Sequence, residues 1–180
     1  MYAKELFPIF AKRKNNMKKL LFAFAIITLA FSSCKKEDKV EPLKPLSEAI
    51  LGTWNVPSRV TDGTGKFMGL DIAIKEEVLN SKIKATFKTD GTFTMAGEYQ
   101  SKTTITAFGS SETETTDEVE DTNGNFKVIS DTQIEIGEPG DEFVYTVTER
   151  TNNKIVLSAE GEEEVDGETI KFKINMTLTK

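Results

Sequence analysis

Residues Thr169 to Thr179 read Thr-Ile-Lys-Phe-Lys-Ile-Asn-Met-Thr-Leu-Thr. Ile170, Phe172, Ile174, Met176 and Leu178 are apolar, and every residue between and beside them is polar. Successive side chains of a strand point to opposite faces, so strict period-two alternation predicts a strand with one buried and one wet face. A helix would scatter these five apolar residues around its circumference.

The same pattern recurs towards the amino terminus. Lys154-Ile155-Val156-Leu157 follows the turn signal Asn152-Asn153, and Phe143, Tyr145 and Val147 alternate with Val144, Thr146 and Thr148. Gln133-Ile134-Glu135-Ile136 is separated by Ser130-Asp131 from Phe126-Lys127-Val128, which Asn123-Gly124 precedes. Asp90-Gly91 joins Ile83–Phe87 to Thr92–Met95, and Asp166-Gly167 leads into the last strand. Asp-Gly and Asn-Gly between alternating runs are hairpin signals. Nine or ten short strands at hairpin spacing are expected. One segment departs from the rule: Leu70, Ile74 and Val78 recur near helical spacing, which predicts a short helix over 70–79 after the first strand, although Ile72 and Ile74 also fit a strand.

Consecutive hairpins leave no room for helical crossovers, so the fold class is all-β and antiparallel. A closed up-and-down barrel removes exposed sheet edges and is the expected architecture; a two-sheet sandwich is the alternative.

The amino-terminal part carries a different signal. Lys18 and Lys19 precede an apolar run from Leu20 to Phe31, followed by Ser32, Ser33 and Cys34, the chain's single cysteine. About 20 apolar residues are needed to span a bilayer, so this shorter run reads as the core of a signal peptide over 17–33. Residues 1–16 have no place in that cassette, and Met17 is expected to be the translational start. Residues 34–46, with Pro42 and Pro45 among charges, read as a tether, and 47–180 as the folded domain.

Phe31-Ser32-Ser33-Cys34 resembles the lipobox of bacterial lipoproteins. The resemblance implies cleavage between Ser33 and Cys34, a diacylglyceryl thioether on Cys34 and an acylated new amino terminus. It implies a protein anchored to the outer membrane by lipid. Lys35-Lys36-Glu37-Asp38 resembles the charged export signals of surface lipoproteins, so both the cell surface and the periplasmic face stay open. Leu51-Gly52-Thr53-Trp54 resembles the Gly-x-Trp signature that opens the lipocalin barrel. Together with the anchor, the chain resembles the lipocalin-like domains of bacterial lipoproteins, with Gly52 and Trp54 in structural roles. In lipocalins the Trp packs under a basic residue near the end of the last strand, where this chain offers Lys171, Lys173 and Lys180; the lipocalin Thr-Asp-Tyr motif is absent.

The whole chain has a net charge of −6, but residues 1–33 hold six basic residues and one acid, so the part from Cys34 carries 17 basic against 28 acidic residues. That balance argues against nucleic acid as a partner. The chain has no histidine, which removes His-dependent triads and the usual zinc sites. No cofactor is expected. Acid is concentrated in Glu112–Asp121, six carboxylates in ten residues, and in Glu160–Glu168, six in nine. These read as solvated strand or loop. Asp121-Thr122-Asn123-Gly124-Asn125 opens like a calcium loop, but Phe126 stands where such a loop needs Gly and Thr132 where it needs Glu.

An eight-stranded barrel is filled by its own side chains or holds one small ligand. Phe87, Phe93, Tyr99, Phe108, Phe126, Phe143, Tyr145 and Phe172 suffice to fill such a core. Phe87, Phe93, Tyr99, Tyr145 and Phe172 are the candidates to line a cup. Two functions follow: a non-enzymatic binding module for a small apolar or amphipathic ligand, or a solid interaction module that meets an envelope protein or glycan.

Overall fold

The computed structural model describes residues 42–180 except Met68 and Asp166. Residues 1–16, the segment 17–33 read as a signal peptide, Cys34 and the first part of the expected tether lie outside the described residues. A short helix, α1 (Leu46–Ala49), precedes nine strands: β1 (Gly52–Phe67), β2 (Leu70–Leu79), β3 (Lys84–Phe87), β4 (Thr92–Ala107), β5 (Ser110–Ser130), β6 (Gln133–Glu138), β7 (Asp141–Arg150), β8 (Lys154–Val165) and β9 (Glu168–Thr179). All nine belong to one sheet, every described pairing is antiparallel, and β1 pairs with β9 to close it in a ring. β2 and β3 share one place, both lying between β1 and β4.

The segment expected to be helical, Leu70–Leu79, is a strand paired on both sides. A spacing of four satisfies both periods: Leu70, Ile74 and Val78 share a strand face as readily as a helix face. The alternation was obscured because Glu76 shares the inward face with Ile72, Ile74 and Val78. The strands are also longer than expected, β5 spanning 21 residues. Asn123-Gly124, read as a turn, lies inside β5 opposite Thr94 and Phe93. A Cβ on Gly124 would collide with the carbonyl of Gly137 and lie 2.7 Å from the Phe93 ring, so glycine here permits close packing. Phe108 is not in the core: it is 78% exposed at the β4–β5 turn. There Phe108 and Gly109 both have positive φ, at 54° and 73°, as a tight hairpin turn requires.

The lower end is packed solid. Leu46, Ile50, Trp54, Val56, Ile83, Ala85, Phe87, Ile134, Ile155, Leu157 and Leu178 are buried there. Leu46 extends the domain one residue past the expected boundary at Ser47. Its backbone N–H donates to Asp131 Oδ1 at 2.8 Å, tying the entry of the chain to the β5–β6 turn. Burying the Leu, Ile, Val and Phe side chains among them contributes about 1.5–3 kcal/mol each before ordering costs.

The upper end differs because β6 and β7 are short. The β5–β6 ladder begins at Asn125, and the β7–β8 ladder begins at Thr146 opposite Ser158. Above those levels, among the described residues, Ser110–Gly124 of β5 and Ala159–Val165 of β8 have a ladder partner on one side only. These two free edges carry most of the two acidic runs. Like charge on a free edge discourages pairing with another chain.

Candidate functional site

Below the β6–β7 turn the ring encloses a cavity of about 450 Å³. Its apolar wall comes from Ala85, Phe87, Phe93, Met95, Ile136, Phe143, Ile174 and Met176. Tyr145, Thr61, Thr122, Arg59 and Glu76 add polar groups, and Glu138 and Asp141 stand at the mouth.

Arg59 faces inward because of Pro57. Trp54 and Val56 are buried, so even-numbered positions begin on the inner face. The register of β1 against β9 then shifts between Asn55 and Ser58. Proline has no N–H for the ladder and is placed at such irregularities. The shift exchanges the faces, so Arg59, Thr61 and Gly63 point inward.

Arg59 Nη1 donates to Glu120 Oε2 at 2.7 Å. Its Nη2 donates to the Tyr99 hydroxyl at 3.4 Å, and the guanidinium lies 5.5 Å from the centre of the Tyr99 ring. Thr122 donates its hydroxyl to the other oxygen of Glu120. Ser101, a buried polar residue, donates to Glu76 Oε1 at 3.2 Å. Burial opposes charge on Arg59, but the hydrogen bond and charge of Glu120, with Tyr99 and Glu76, outweigh it and hold the guanidinium above its ordinary value. Burial pushes the Tyr145 hydroxyl up against the opposing pull of Arg59. That hydroxyl has no hydrogen-bond partner among the described residues.

Three of the five expected cup residues, Phe87, Phe93 and Tyr145, line the cavity. Phe87 stacks on Phe93 at 6.0 Å and meets Phe126 edge-on at 5.1 Å. Tyr99 instead holds Arg59 from the β4 side. Phe172 packs edge-on against Phe143 at 5.6 Å, supporting the wall without reaching the cavity. Arg59, Glu76 and Glu120 are the residues that the sequence reading missed. The signal for Arg59 was Pro57, which marks the change of face.

Gly52 and Trp54 sit at the closed end. Gly52 has φ +99°, a conformation that favours glycine, and pairs with Phe87. Trp54 is 1% exposed, and its Nε1–H donates to the Ile50 carbonyl at 2.6 Å. Lys180 Nζ lies 4.4 Å from the centre of the indole. Of the three lysines offered by the end of the chain, the last therefore covers the Trp.

The acidic runs do not assemble a metal centre: among the described residues no group of three or more Asp, Glu, His or Cys is placed to hold an ion. Comparison with protein-family models, with curated proteins and with solved structures finds no match.

Proposed function

We propose that the chain is a lipid-anchored envelope protein whose ring is a lipocalin-like up-and-down barrel, and that its cavity receives one small apolar or amphipathic molecule. The observation that carries the reading is the cavity of about 450 Å³ above a solid core. Small-molecule sites are typically about 300–1,000 Å³, mainly apolar, with a few fixed polar groups. Here aromatic and aliphatic walls meet the Tyr145 hydroxyl and the Arg59–Glu120 pair. Eight strand positions around the ring suit an interior that holds one small ligand. The Gly52/Trp54 signature and Lys180 over the indole support the lipocalin likeness. The resemblance of Phe31–Cys34 to a lipobox supports an anchor in the outer membrane, at the cell surface or on the periplasmic face.

A thermal-shift and calorimetric screen against fatty acids, sterols, aromatic amines and sugars tests the binding reading. Binding that Ala85→Leu and Thr122→Leu, which fill the cavity, abolish would support it. Binding untouched by both variants, or no binding across the panel, would leave the solid interaction module instead. Cys34→Ala is expected to move the protein from the membrane to the soluble fraction and to end its labelling by fatty acid; retention in the membrane would refute the anchor.

A further inference from the structure

We infer that the cavity's ligand is an organic cation, a protonated amine on an apolar or aromatic body. This rests on the reading of the cavity as a binding site and names the class of molecule it takes.

The argument begins with which charges are already matched. Among the described residues, Arg59 is the one cation on the cavity wall. It is committed to Glu120 at 2.7 Å and to Tyr99 at 3.4 Å. A ligand carboxylate would have to displace Glu120 from a contact inside the wall. Three other carboxylates face the cavity: Glu76 within it, Glu138 and Asp141 at the mouth. None of the three has an ion-pair partner within 4.0 Å among the described residues. Glu76 receives only the Ser101 hydroxyl, at 3.2 Å. With Arg59 and Glu120 cancelling, the wall presents three unmatched negative charges.

Their placement suits a short amphipathic cation. By strand alternation Glu138 and Asp141 stand on the same side as Ile136 and Phe143, and they face each other across the β6–β7 hairpin. An amine entering there passes two carboxylates before it meets Glu76. Around it stand Phe87, Phe93, Phe143 and Tyr145, whose ring faces attract cations. Opposite charges interact more strongly in such a partly desolvated site than in water. The acidity of the domain as a whole raises the local concentration of cations and speeds their arrival.

The test uses three molecules of one shape at pH 7: 2-phenylethylamine, 2-phenylethanol and phenylacetate. Each is titrated by calorimetry into the full chain carrying Cys34→Ala, which leaves every described residue in place. The amine is expected to bind at least tenfold more tightly than the alcohol, and phenylacetate most weakly. Glu76→Gln should remove most of that preference. Glu138→Gln with Asp141→Asn, at exposed positions that bear little on folding, should reduce it severalfold and weaken its dependence on salt. Equal or tighter binding of phenylacetate would overturn the inference while leaving the binding reading intact. Absence of binding by all three would also overturn it; the wider ligand screen then shows whether the binding reading falls as well.

Discussion

The Arg59–Glu120 pair offers the sharpest check on how the ring is built. Arg59 and Glu120 side chains are 19% and 10% exposed and 2.7 Å apart. Removing one member of a buried pair leaves a charge with no partner and costs about 3–5 kcal/mol. Arg59→Met would leave Glu120 with only the Thr122 hydroxyl. The cavity admits water, which places the cost near the lower bound, about 3 kcal/mol. Glu120→Leu leaves Arg59 with Tyr99 and within the field of Glu76, so about 2 kcal/mol is expected. Independent effects would sum to about 5 kcal/mol. The double variant holds no unmatched charge from the pair, and apolar replacement of a whole buried pair is often close to neutral. It should fall within about 2 kcal/mol of the parent, a coupling of about 3 kcal/mol. Urea unfolding followed by Trp54 measures this directly, since Trp54 is the chain's single tryptophan and is 1% exposed. Equal denaturant slopes among the four proteins license the comparison. Salt should change the coupling little, because a mostly buried pair is weakly screened. A double variant as unstable as the sum of the singles would mean that the two charges do not meet, and the inward turn of Arg59 after Pro57 would be wrong.

Three further outcomes are expected. The Tyr145 hydroxyl is raised by burial against the pull of Arg59; the folded state therefore keeps its proton above about pH 10, where the unfolded chain loses it. Stability present below that pH is lost as pH rises, and Tyr145→Phe should flatten the fall in alkaline urea titrations; an unchanged slope would count against the burial of Tyr145. Gly124→Ala should cost about 1–3 kcal/mol by overpacking, read as a lower urea midpoint, because its Cβ would meet the Gly137 carbonyl and the Phe93 ring. A neutral Gly124→Ala would mean that β5 and β6 do not approach so closely. Replacing Glu112, Glu114, Asp117 and Glu118 with Thr should leave the ring folded but promote self-association, seen by light scattering; a monomeric variant at high concentration would refute the protective role of that edge.

How much of this was legible in the sequence depended on whether a strand kept one phase. β9 alternates without interruption, and its assignment needed nothing else. The turns at Asp90-Gly91 and Asn152-Asn153 were readable because residues that favour turns stand between two alternating runs. β1 changes face at the Pro57 irregularity, so the parity of Trp54 and Val56 does not carry through to Arg59, and nothing in the local pattern marks it as inward. β2 places Glu76 among inward aliphatic residues, and one polar residue in an apolar face was enough to suggest the wrong period. Gly124 shows the ambiguity of glycine: it signals a turn when read locally, but here it makes room for another strand. The pairing of Arg59 with Glu120 spans 61 positions, and no local pattern announces a contact between distant strands.

The short β6–β7 hairpin links the features that the sequence kept apart. β5 and β8 extend well beyond it, so among the described residues β5 before Asn125 pairs only with β4 and β8 after Ser158 only with β9. Two free edges result, and both are rich in carboxylates. The same shortness leaves Gly137, Glu138 and Asp141 at the level where the cavity begins. Longer β6 and β7 strands would pair β5 and β8 further and bury the mouth under their own side chains. The acid at the edges and the access to the interior are therefore two consequences of one strand length. The acidic runs need no ligand to account for most of their residues. The carboxylates on the cavity wall are Glu76, Glu138 and Asp141, which stand outside both runs.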